Sequence, residues 1–393
     1  MVVLTSKEVE NPSVAEFYAG KSVFITGGTG FLGKVLIEKL LYGCPDIDNI
    51  YMLIREKKGL SISERLKQLV LFNRIKDERP ADLEKIVLIP GDITVPDLGI
   101  SKENESILLE KVYIHISTAY TNTDREVVEE ILYPPPADIN EVLKNKQRAL
   151  LTDGRPNTYT FTKSLGEHQV AEHQAYMPTI IVRPSIVGPI KDDSIKGWLD
   201  NWFGGTSLAV FTSRGLNRVI HGRADHIVDF IPADYVVNLV IVAGAKNGQE
   251  KSSELKVYNC CSSSCNPLAI ERLLQLFSED ARKQKTCEFI LVVYIIIIYK
   301  NTSAIFFIDL PGGQKNNFEY VKLQSLVTQT QCVVAFFTSH SWEIKADRVR
   351  EMFASLSPAD KNMFPCDPAS IDWTDYIGDY CWGVRHYLEK TND

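Results

Sequence analysis

The chain has 393 residues, of which 45% are hydrophobic and 24% are charged. This composition is that of an ordinary globular protein and excludes a wholly disordered, collagenous or multi-spanning membrane protein. The net charge of −7 argues against a nucleic-acid-binding protein, which normally carries a basic surplus. At about 100–200 residues per domain, we expect one large domain followed by a smaller one.

The cysteines predict neither a disulfide framework nor a metal site. Cys260, Cys261 and Cys265 cluster, but no histidine or second cysteine pair follows at the spacing of a zinc site. We therefore expect free thiols in a reducing compartment. The first 21 residues contain no apolar run of about 7–15 residues, so we expect no secretory signal and an intracellular protein.

Strands and helices alternate along the first third of the chain. Hydrophobic periodicity predicts a buried strand at Ser22–Thr26 and an amphipathic helix at Lys34–Leu41, which ends before Gly43 and Pro45. The same criteria predict strands at 49–54, 85–89 and 112–117 and helices at 61–71 and 106–111. This order predicts an α/β fold with a Rossmann-type, doubly wound parallel sheet.

The second half continues with a predicted helix at 158–173, strands at 179–183, 228–231 and 255–260, and a loop through Gly188 and Pro189. Large apolar side chains among glycines between 195 and 225 suit either a substrate pocket or an ordinary core. They are Trp198, Trp202, Phe203, Leu208, Val210 and Phe211. Phe289–Tyr299 is apolar throughout, but a membrane-spanning helix needs about 20 such residues, and the β-branched composition favours a strand.

A glycine-rich segment, residues 26–33, directly follows the first predicted strand and opens a predicted helix. That context predicts a dinucleotide site. Gly27 allows the tight turn, Gly30 lets the backbone approach the pyrophosphate, and Gly33 permits close helix–strand packing. The amides at the start of the helix then face the phosphates. The predicted contacts are Thr26, Gly27, Gly30, Phe31, Leu32 and Gly33.

The end of the second strand indicates which nucleotide is bound. It reads Leu53-Ile54-Arg55, and an arginine here accommodates a 2′-phosphate, whereas an acidic residue holds a ribose hydroxyl. Arg55 therefore favours NADPH over NADH, although Glu56 follows it directly. Asp92, with Ile93 beside it, ends the third strand and is placed to meet the adenine amino group.

Tyr159 and Lys163 are spaced to share one face of a helix. An ammonium near a phenol favours the phenolate, so we expect the pKa of Tyr159 to lie below its usual value of about 10. Such a group is a general acid or base for a carbonyl. A hydroxyl at the end of the strand 112–117 completes the set, with Thr118 preferred and Ser117 as the competing choice. Either hydroxyl could instead cap a turn.

The glycine turn, the Ser/Thr strand end and the Tyr–Lys pair, in this order, resemble the extended short-chain dehydrogenase/reductases. Longer motifs narrow the resemblance to the alcohol-forming fatty acyl-CoA reductases. They are EFYAGK at 16–21, HISTAY at 115–120, YPPP at 133–136, NTYTFTK at 157–163 and RPSIVGP at 183–189. We expect an NAD(P)-binding reductase domain at 10–265, an irregular apolar insert at 266–335 and a mostly helical C-terminal domain at 336–393 that resembles that of the family.

The resemblance implies two hydride transfers from NADPH, which take long-chain acyl-CoA to an aldehyde, with loss of CoA, and then to a primary alcohol. It implies that Tyr159 protonates the oxygen, Lys163 holds the nicotinamide ribose and Thr118 polarises the carbonyl. Pro184, Ser185 and Val187 would line the nicotinamide pocket. It also implies association with a peroxisomal or endoplasmic reticulum membrane. Two other interpretations stay open: a related reductase or epimerase acting on another substrate, and a chain without catalytic activity.

The chain departs from the family in two places. Only about twenty residues separate Asp92 from the strand at 112–117, whereas a further strand–helix unit needs roughly 30 or more. We expect this unit to be absent. The strand at 112–117 would then either take the missing strand's place beside the first strand or leave a gap there. The second departure is Lys285–Gln331, which does not resemble the family.

Overall fold

The structure is a computed structural model that describes residues 12–55, 73–103, 113–138, 142, 155–172, 174, 178–202, 205–207, 210, 219–250, 254–284, 294–296, 325, 329 and 334–389. The predicted helices at 61–71 and 106–111 lie outside these residues, as do Phe203, Leu208 and Phe211. Within the described part, no helix has the length and apolar character needed to cross a membrane.

The helices and strands alternate through most of the described chain. The helices are α1 (Val14–Tyr18), α2 (Phe31–Gly43), α3 (Asn73–Glu78), α4 (Thr158–Glu172), α5 (Ala233–Glu250), α6 (Ile270–Lys283), α7 (Asp347–Ala354), α8 (Pro358–Met363) and α9 (Trp373–Gly383). The strands are β1 (Val23–Ile25), β2 (Ile50–Ile54), β3 (Ile86–Pro90), β4 (Tyr113–Ile116), β5 (Val127–Val128), β6 (Thr179–Pro184), β7 (Ile186–Gly188), β8 (Val219–His221), β9 (Ile227–Val228), β10 (Phe230–Pro232), β11 (Lys256–Cys260), β12 (Leu268–Ala269), β13 (Tyr294–Ile296) and β14 (Glu343–Ile344).

Six of these strands form two parallel three-stranded sheets, in the orders β1-β2-β3 and β4-β6-β11. The α/β fold, the parallel pairing and the main strands predicted from hydrophobic periodicity are therefore confirmed. Every residue of β6 is buried, as expected for the centre of a parallel sheet that is covered on both faces.

The sheet is split between β1 and β4. Among the described residues, β1 pairs with β2 and β4 pairs with β6, and no ladder joins the two halves. Val23 and Phe24 of β1 are only half-buried, and so are Ile114, His115 and Ile116 of β4. In the described part of the chain, the strand predicted at 112–117 therefore does not lie beside β1, so of the two arrangements predicted for it the gap is the one observed.

Two predictions in the second half were wrong in detail. Gly188 does not lie in a loop, because β7 pairs in parallel with β10. The strand predicted at 228–231 is two strands, since Asp229 interrupts it: its carboxylate accepts hydrogen bonds from the amides of Ser262 (2.8 Å) and Ser263 (2.9 Å). The chain thereby changes partner from β12 to β7.

The core is shared between the sheet and the C-terminal helices. One cluster of buried apolar residues runs from α1 to Val384 and includes Phe364, Tyr376 and Tyr380. Trp198 and Val210 belong to it, so for these two side chains the ordinary-core interpretation is correct, whereas Trp202 is 44% exposed. The described cysteines, six in number, are free thiols.

Glu130 joins the sheet to the C-terminal helices. Its carboxylate accepts hydrogen bonds from the amide of Asn259 in β11 (3.0 Å) and from the amide of Arg348 in the first turn of α7 (2.6 Å). Burial raises the pKa of Glu130 to about 7, against the effect of these two bonds. The carboxylate also faces the positive end of the α7 helix dipole.

The residue boundaries of the domains stay a prediction.

Candidate active site

The glycine turn between β1 and α2 has the geometry of a phosphate cradle. Gly27 has φ of +72°, which only glycine adopts without strain, and the Gly30 amide donates to its carbonyl at 2.8 Å. A Cβ on Gly33 would lie 2.7 Å from Cα of Gly28 and overlap the Gly27 carbonyl. No side chain caps the amides at the start of α2, and Thr26, Gly27 and Gly30 are exposed. The residues present therefore fit the pyrophosphate of a dinucleotide.

Arg55 and Asp92 lie together at the ends of β2 and β3. The guanidinium nitrogen is 3.5 Å from the carboxylate, and the Arg55 side chain is 70% exposed. Hydrogen bonds from the amide and hydroxyl of Thr94 lower the pKa of Asp92, with a smaller contribution from Arg55. Ile93 is exposed between them and the following turn. Both charged groups therefore lie at the carboxyl ends of parallel strands, the edge where a sheet of this type binds its ligand.

Tyr159 and Lys163 lie in α4, as predicted. The Tyr159 side chain is 56% exposed, and the Lys163 ammonium donates to the carbonyl of Ile116 at 2.8 Å. Burial raises the pKa of Tyr159, contrary to the sequence-based expectation, because the ammonium is bonded to β4 and lies 6.0 Å from the centre of the phenol ring. Burial also lowers the pKa of Lys163.

The structure distinguishes the two candidate hydroxyls at the end of β4. Ser117 is buried, and its hydroxyl donates to a carboxylate oxygen of Glu167 at 2.5 Å. Thr118 Oγ1 makes only long hydrogen bonds, of 3.4 Å each, with the carbonyl of Pro184 and the amide of Tyr120. The Thr118 hydroxyl is therefore held more weakly than that of Ser117 and is the more available of the two to bond a ligand.

The segment after β6 closes this side of the site. Pro184 ends β6, and Ser185 follows with its amide bonded to the carbonyl of Cys260 at 3.2 Å. The Ser185 hydroxyl is buried and has no partner within the described structure, which suits a residue that meets a bound ligand. Val187 is half-buried in β7. A side chain at Gly188 would overlap the hydroxyl of Tyr376 in α9.

Sequence reasoning missed a buried ion pair beneath these residues. Arg183 donates through Nε to one carboxylate oxygen of Glu167 (2.9 Å) and through a terminal nitrogen to the other (2.7 Å). Both side chains are almost entirely buried, at 0% and 3% exposure. Two features of the sequence pointed to it: Glu167 follows Lys163 by four residues, and Arg183 directly follows the apolar run 180–182 within one strand.

Comparison with protein families finds two matches. An NAD-binding family model described as male sterility protein matches residues 25–114 and 107–240, and a second model with that description matches 304–391. The two ranges matched by the first model overlap at 107–114, just after the short linker that follows Asp92. Together with the glycine cradle, the NAD-binding match identifies a nicotinamide cofactor site.

The chain is similar to fatty acyl-CoA reductase 1 of Homo sapiens and of Pongo abelii, at 30% identity over 443 residues in each case. These matches cover 96% of the chain and 86% of the relative. Fatty acyl-CoA reductase 2 of Mus musculus is also 30% identical, over 447 residues. Because each comparison extends over more residues than the chain contains, the relatives carry segments that this chain lacks.

Solved structures show the same fold at low identity. The reductase domain of a non-ribosomal peptide synthetase from Mycobacterium tuberculosis superimposes with a TM-score of 0.59 at 15% identity, covering 96% of this chain and 93% of that one. The terminal R domain of the myxalamid pathway gives 0.59 at 15% identity, with coverages of 94% and 92%. These neighbours support the reductase-type Rossmann fold.

Proposed function

The chain belongs to the fatty acyl-CoA reductase family, and from that premise we propose that it reduces long-chain fatty acyl-CoA to the primary alcohol. The reaction passes through an aldehyde and releases CoA. NADPH supplies the hydride in both reductions. The proposal rests above all on the meeting of α4 with the end of β4, where the bond from Lys163 to Ile116 brings Tyr159 and Lys163 to the strand that continues into Thr118.

Each side chain has a distinct role in this proposal. Thr118 exchanges its long bond to the Pro184 carbonyl (3.4 Å) for a hydrogen bond to the carbonyl oxygen of the substrate, whereas the Ser117 hydroxyl is held by Glu167. Tyr159 donates the proton that the same oxygen takes up. It is suited to this because its raised pKa keeps the phenol protonated at neutral pH. Lys163 binds the nicotinamide ribose, and the unpartnered hydroxyl of Ser185 faces the cofactor.

The proposal extends to the nucleotide and to the cellular location. The exposed guanidinium of Arg55 holds the 2′-phosphate, since an arginine fork matches phosphate geometry. Asp92 meets the adenine, with Ile93 against its ring. A location at the peroxisomal or endoplasmic reticulum membrane, with association at the membrane surface, rests on the family resemblance alone.

Product analysis tests this function. The full chain is incubated with palmitoyl-CoA and NADPH, and lipids and free CoA are measured over time. We expect hexadecanol, one CoA and two oxidised cofactors for each thioester consumed. If neither hexadecanal nor hexadecanol forms, while another carbonyl compound or a nucleotide sugar is converted, the acyl-CoA assignment is wrong.

A second interpretation, a chain without catalytic activity, is favoured by the split between β1 and β4. The cofactor crevice of such folds lies at the carboxyl ends of the central strands, so a missing strand removes part of its floor. Binding decides this point before any turnover is measured. Quenching or a blue shift of NADPH fluorescence at micromolar protein supports the enzyme, and its absence supports the inactive chain.

A further inference from the structure

Three segments of the candidate site meet at Glu167. Its carboxylate accepts hydrogen bonds from Ser117 at the end of β4 (2.5 Å), from Thr121 in the following turn (3.4 Å) and from Arg183 of β6 (2.7 and 2.9 Å). Glu167 itself belongs to α4, the helix of Tyr159 and Lys163. Residues spaced by four share a helix face, and on this face Lys163 and Glu167 are both bonded to the strand end, while Tyr159 lies one turn before Lys163.

The strand end is held at three successive residues. The Ile116 carbonyl accepts from Lys163, the Ser117 hydroxyl donates to Glu167, and the Thr118 hydroxyl donates to the Pro184 carbonyl at 3.4 Å. The last of these contacts is long and, among the described residues, the Thr118 carbonyl is bonded only within the following turn, to Thr121 (3.1 Å), so the two residues before Thr118 fix its distance from α4. Of these, Ser117 is the one whose side chain is bonded to α4.

We infer that Glu167 is a positioning residue that sets the distance between Thr118, two residues beyond β4, and the Tyr159–Lys163 face of α4. This inference rests on the proposed function. Catalysis requires the reacting groups in hydrogen-bond reach of one oxygen, and a misplacement of about 1 Å can cost about 100-fold in rate. The buried Arg183 guanidinium fixes Glu167, because its fork binds both carboxylate oxygens.

Glu167 also determines the charge around the helix face. The charged and titratable groups that face it are Arg183 from β6, Lys163 from α4 and His115 from β4, whose ring lies against Gly166. The Glu167 carboxylate raises the pKa of Lys163, against the lowering by burial. A neutral residue at 167 would therefore release the Lys163 proton at lower pH.

The experiment compares Glu167→Gln with Glu38→Gln in the full chain. Glu38 is a matched control because it too is buried and bound on both oxygens by an arginine, Arg74 (2.8 and 2.9 Å), between α2 and α3. Glu167→Gln leaves the buried Arg183 guanidinium without a carboxylate, and Glu38→Gln leaves Arg74 with Asp193 alone, at 3.2 Å, so both variants lower the melting temperature. Per folded molecule, we expect Glu167→Gln alone to lower kcat about 10–100-fold with little change in KM for NADPH.

Two further measurements separate positioning from general stability. The alkaline limb of the kcat/KM profile should move to lower pH in Glu167→Gln and stay in place in Glu38→Gln. Hydrogen exchange of the peptide spanning 113–122, measured without substrate, should become about tenfold faster in Glu167→Gln alone. An unchanged kcat, an unmoved pH profile or an unaltered exchange rate in Glu167→Gln would overturn the inference, as would equal effects in the control.

Ser117→Ala gives the same information if Glu167→Gln does not fold. This change removes one bond to the carboxylate and leaves the pair with Arg183 intact. Faster exchange at 113–122 with a lower kcat supports the inference, and wild-type values for both overturn it. If the wild-type chain produces no alcohol, the proposed function fails, while the exchange comparison still decides whether Glu167 holds the strand end.

Discussion

Arg55 and Asp92 form an ion pair of 3.5 Å across the ends of β2 and β3, in which the Arg55 side chain is 70% exposed and Asp92 is half-buried. Exposed pairs of this kind contribute little to stability, because water and salt screen them. A dianionic phosphate can therefore replace the carboxylate as the partner of the guanidinium, because little free energy is lost when the ion pair breaks. This pairing leads directly to a prediction about nucleotide preference.

Arg55→Asp should weaken NADPH binding by about tenfold or more, because a charge-assisted bond contributes about 1.5–3 kcal/mol. NADH lacks the 2′-phosphate and should lose much less affinity. Fluorescence titration with both nucleotides measures the ratio. Arg223→Asp is the control, since Arg223 is also exposed and paired with a carboxylate, at 2.8 Å. Equal losses for the two nucleotides would show that Arg55 does not read the phosphate.

Tyr159→Phe should reduce turnover by about 10²–10⁴, the usual contribution of general-acid catalysis, while NADPH still binds. The half-exposed ring makes a large loss of stability unexpected. Lys163→Ala should impair both binding and turnover. Steady-state kinetics and fluorescence titration check both variants, with Tyr42→Phe at the end of α2 as the control. Near-normal turnover in Tyr159→Phe would exclude this site.

The ionisation of Tyr159 can be followed without substrate. Because burial raises its pKa, the phenol should ionise above pH 10 in the cofactor-free protein. The difference between ultraviolet titrations of the wild-type chain and Tyr159→Phe isolates this one group. A component that titrates near neutral pH would instead support the phenolate that the Tyr–Lys spacing suggests.

Glu130 makes stability depend on pH. Its pKa rises from 4.5 to about 7 on folding, so the folded protein binds more protons than the unfolded chain in this range. Stability should therefore fall as the pH rises through this window, by a few kcal/mol at most from this group. As the pH rises from 5 to 7, the melting temperature of Glu130→Gln should fall less than that of the wild type. The exposed neighbour Glu129 provides the control, and a Glu129→Gln effect of equal size would refute this assignment.

Restoring a strand with its returning helices after Lys111 should raise both the melting temperature and turnover. The half-buried β1 and β4 would then gain ladder partners, and each buried backbone group left unpaired costs roughly 1–3 kcal/mol. Against a net stability of about 5–15 kcal/mol, several such groups matter. An insert of the same length made of Gly and Ser is the control. Full activity of the chain as it stands would contradict the missing-unit argument.

Local pattern was sufficient for the elements that position the cofactor. The apolar run before Gly27 and the amphipathic pattern after Gly33 predicted β1 and α2, because strand and helix periods are written in neighbouring residues. The spacing of Tyr159 and Lys163 likewise placed both on one helix. The short linker after Asp92 predicted either a shifted strand or a gap beside β1, and among the described strands no ladder joins β1 to β4.

Contacts between distant segments could not be predicted in this way. The bond from Lys163 to Ile116 joins residues 47 positions apart and determines which charge reaches the phenol, so the expected pKa of Tyr159 was wrong in direction. The pair of β7 with β10 depends on Asp229 finding the amides of Ser262 and Ser263. Such contacts depend on how the strands assemble in the tertiary structure, which the local sequence does not determine.

The contact between Gly188 and Tyr376 has a consequence for synthesis of the protein. Tyr376 donates to the carbonyl of Pro189 at 3.1 Å and fills the space beside Gly188 that a side chain would need. The wall of the proposed nicotinamide pocket would thus be completed by a helix that leaves the ribosome long after the glycine turn. We expect nascent chains that stop before α9 to hold the cofactor's phosphates but not its nicotinamide ring, so that full cofactor binding appears only as translation finishes.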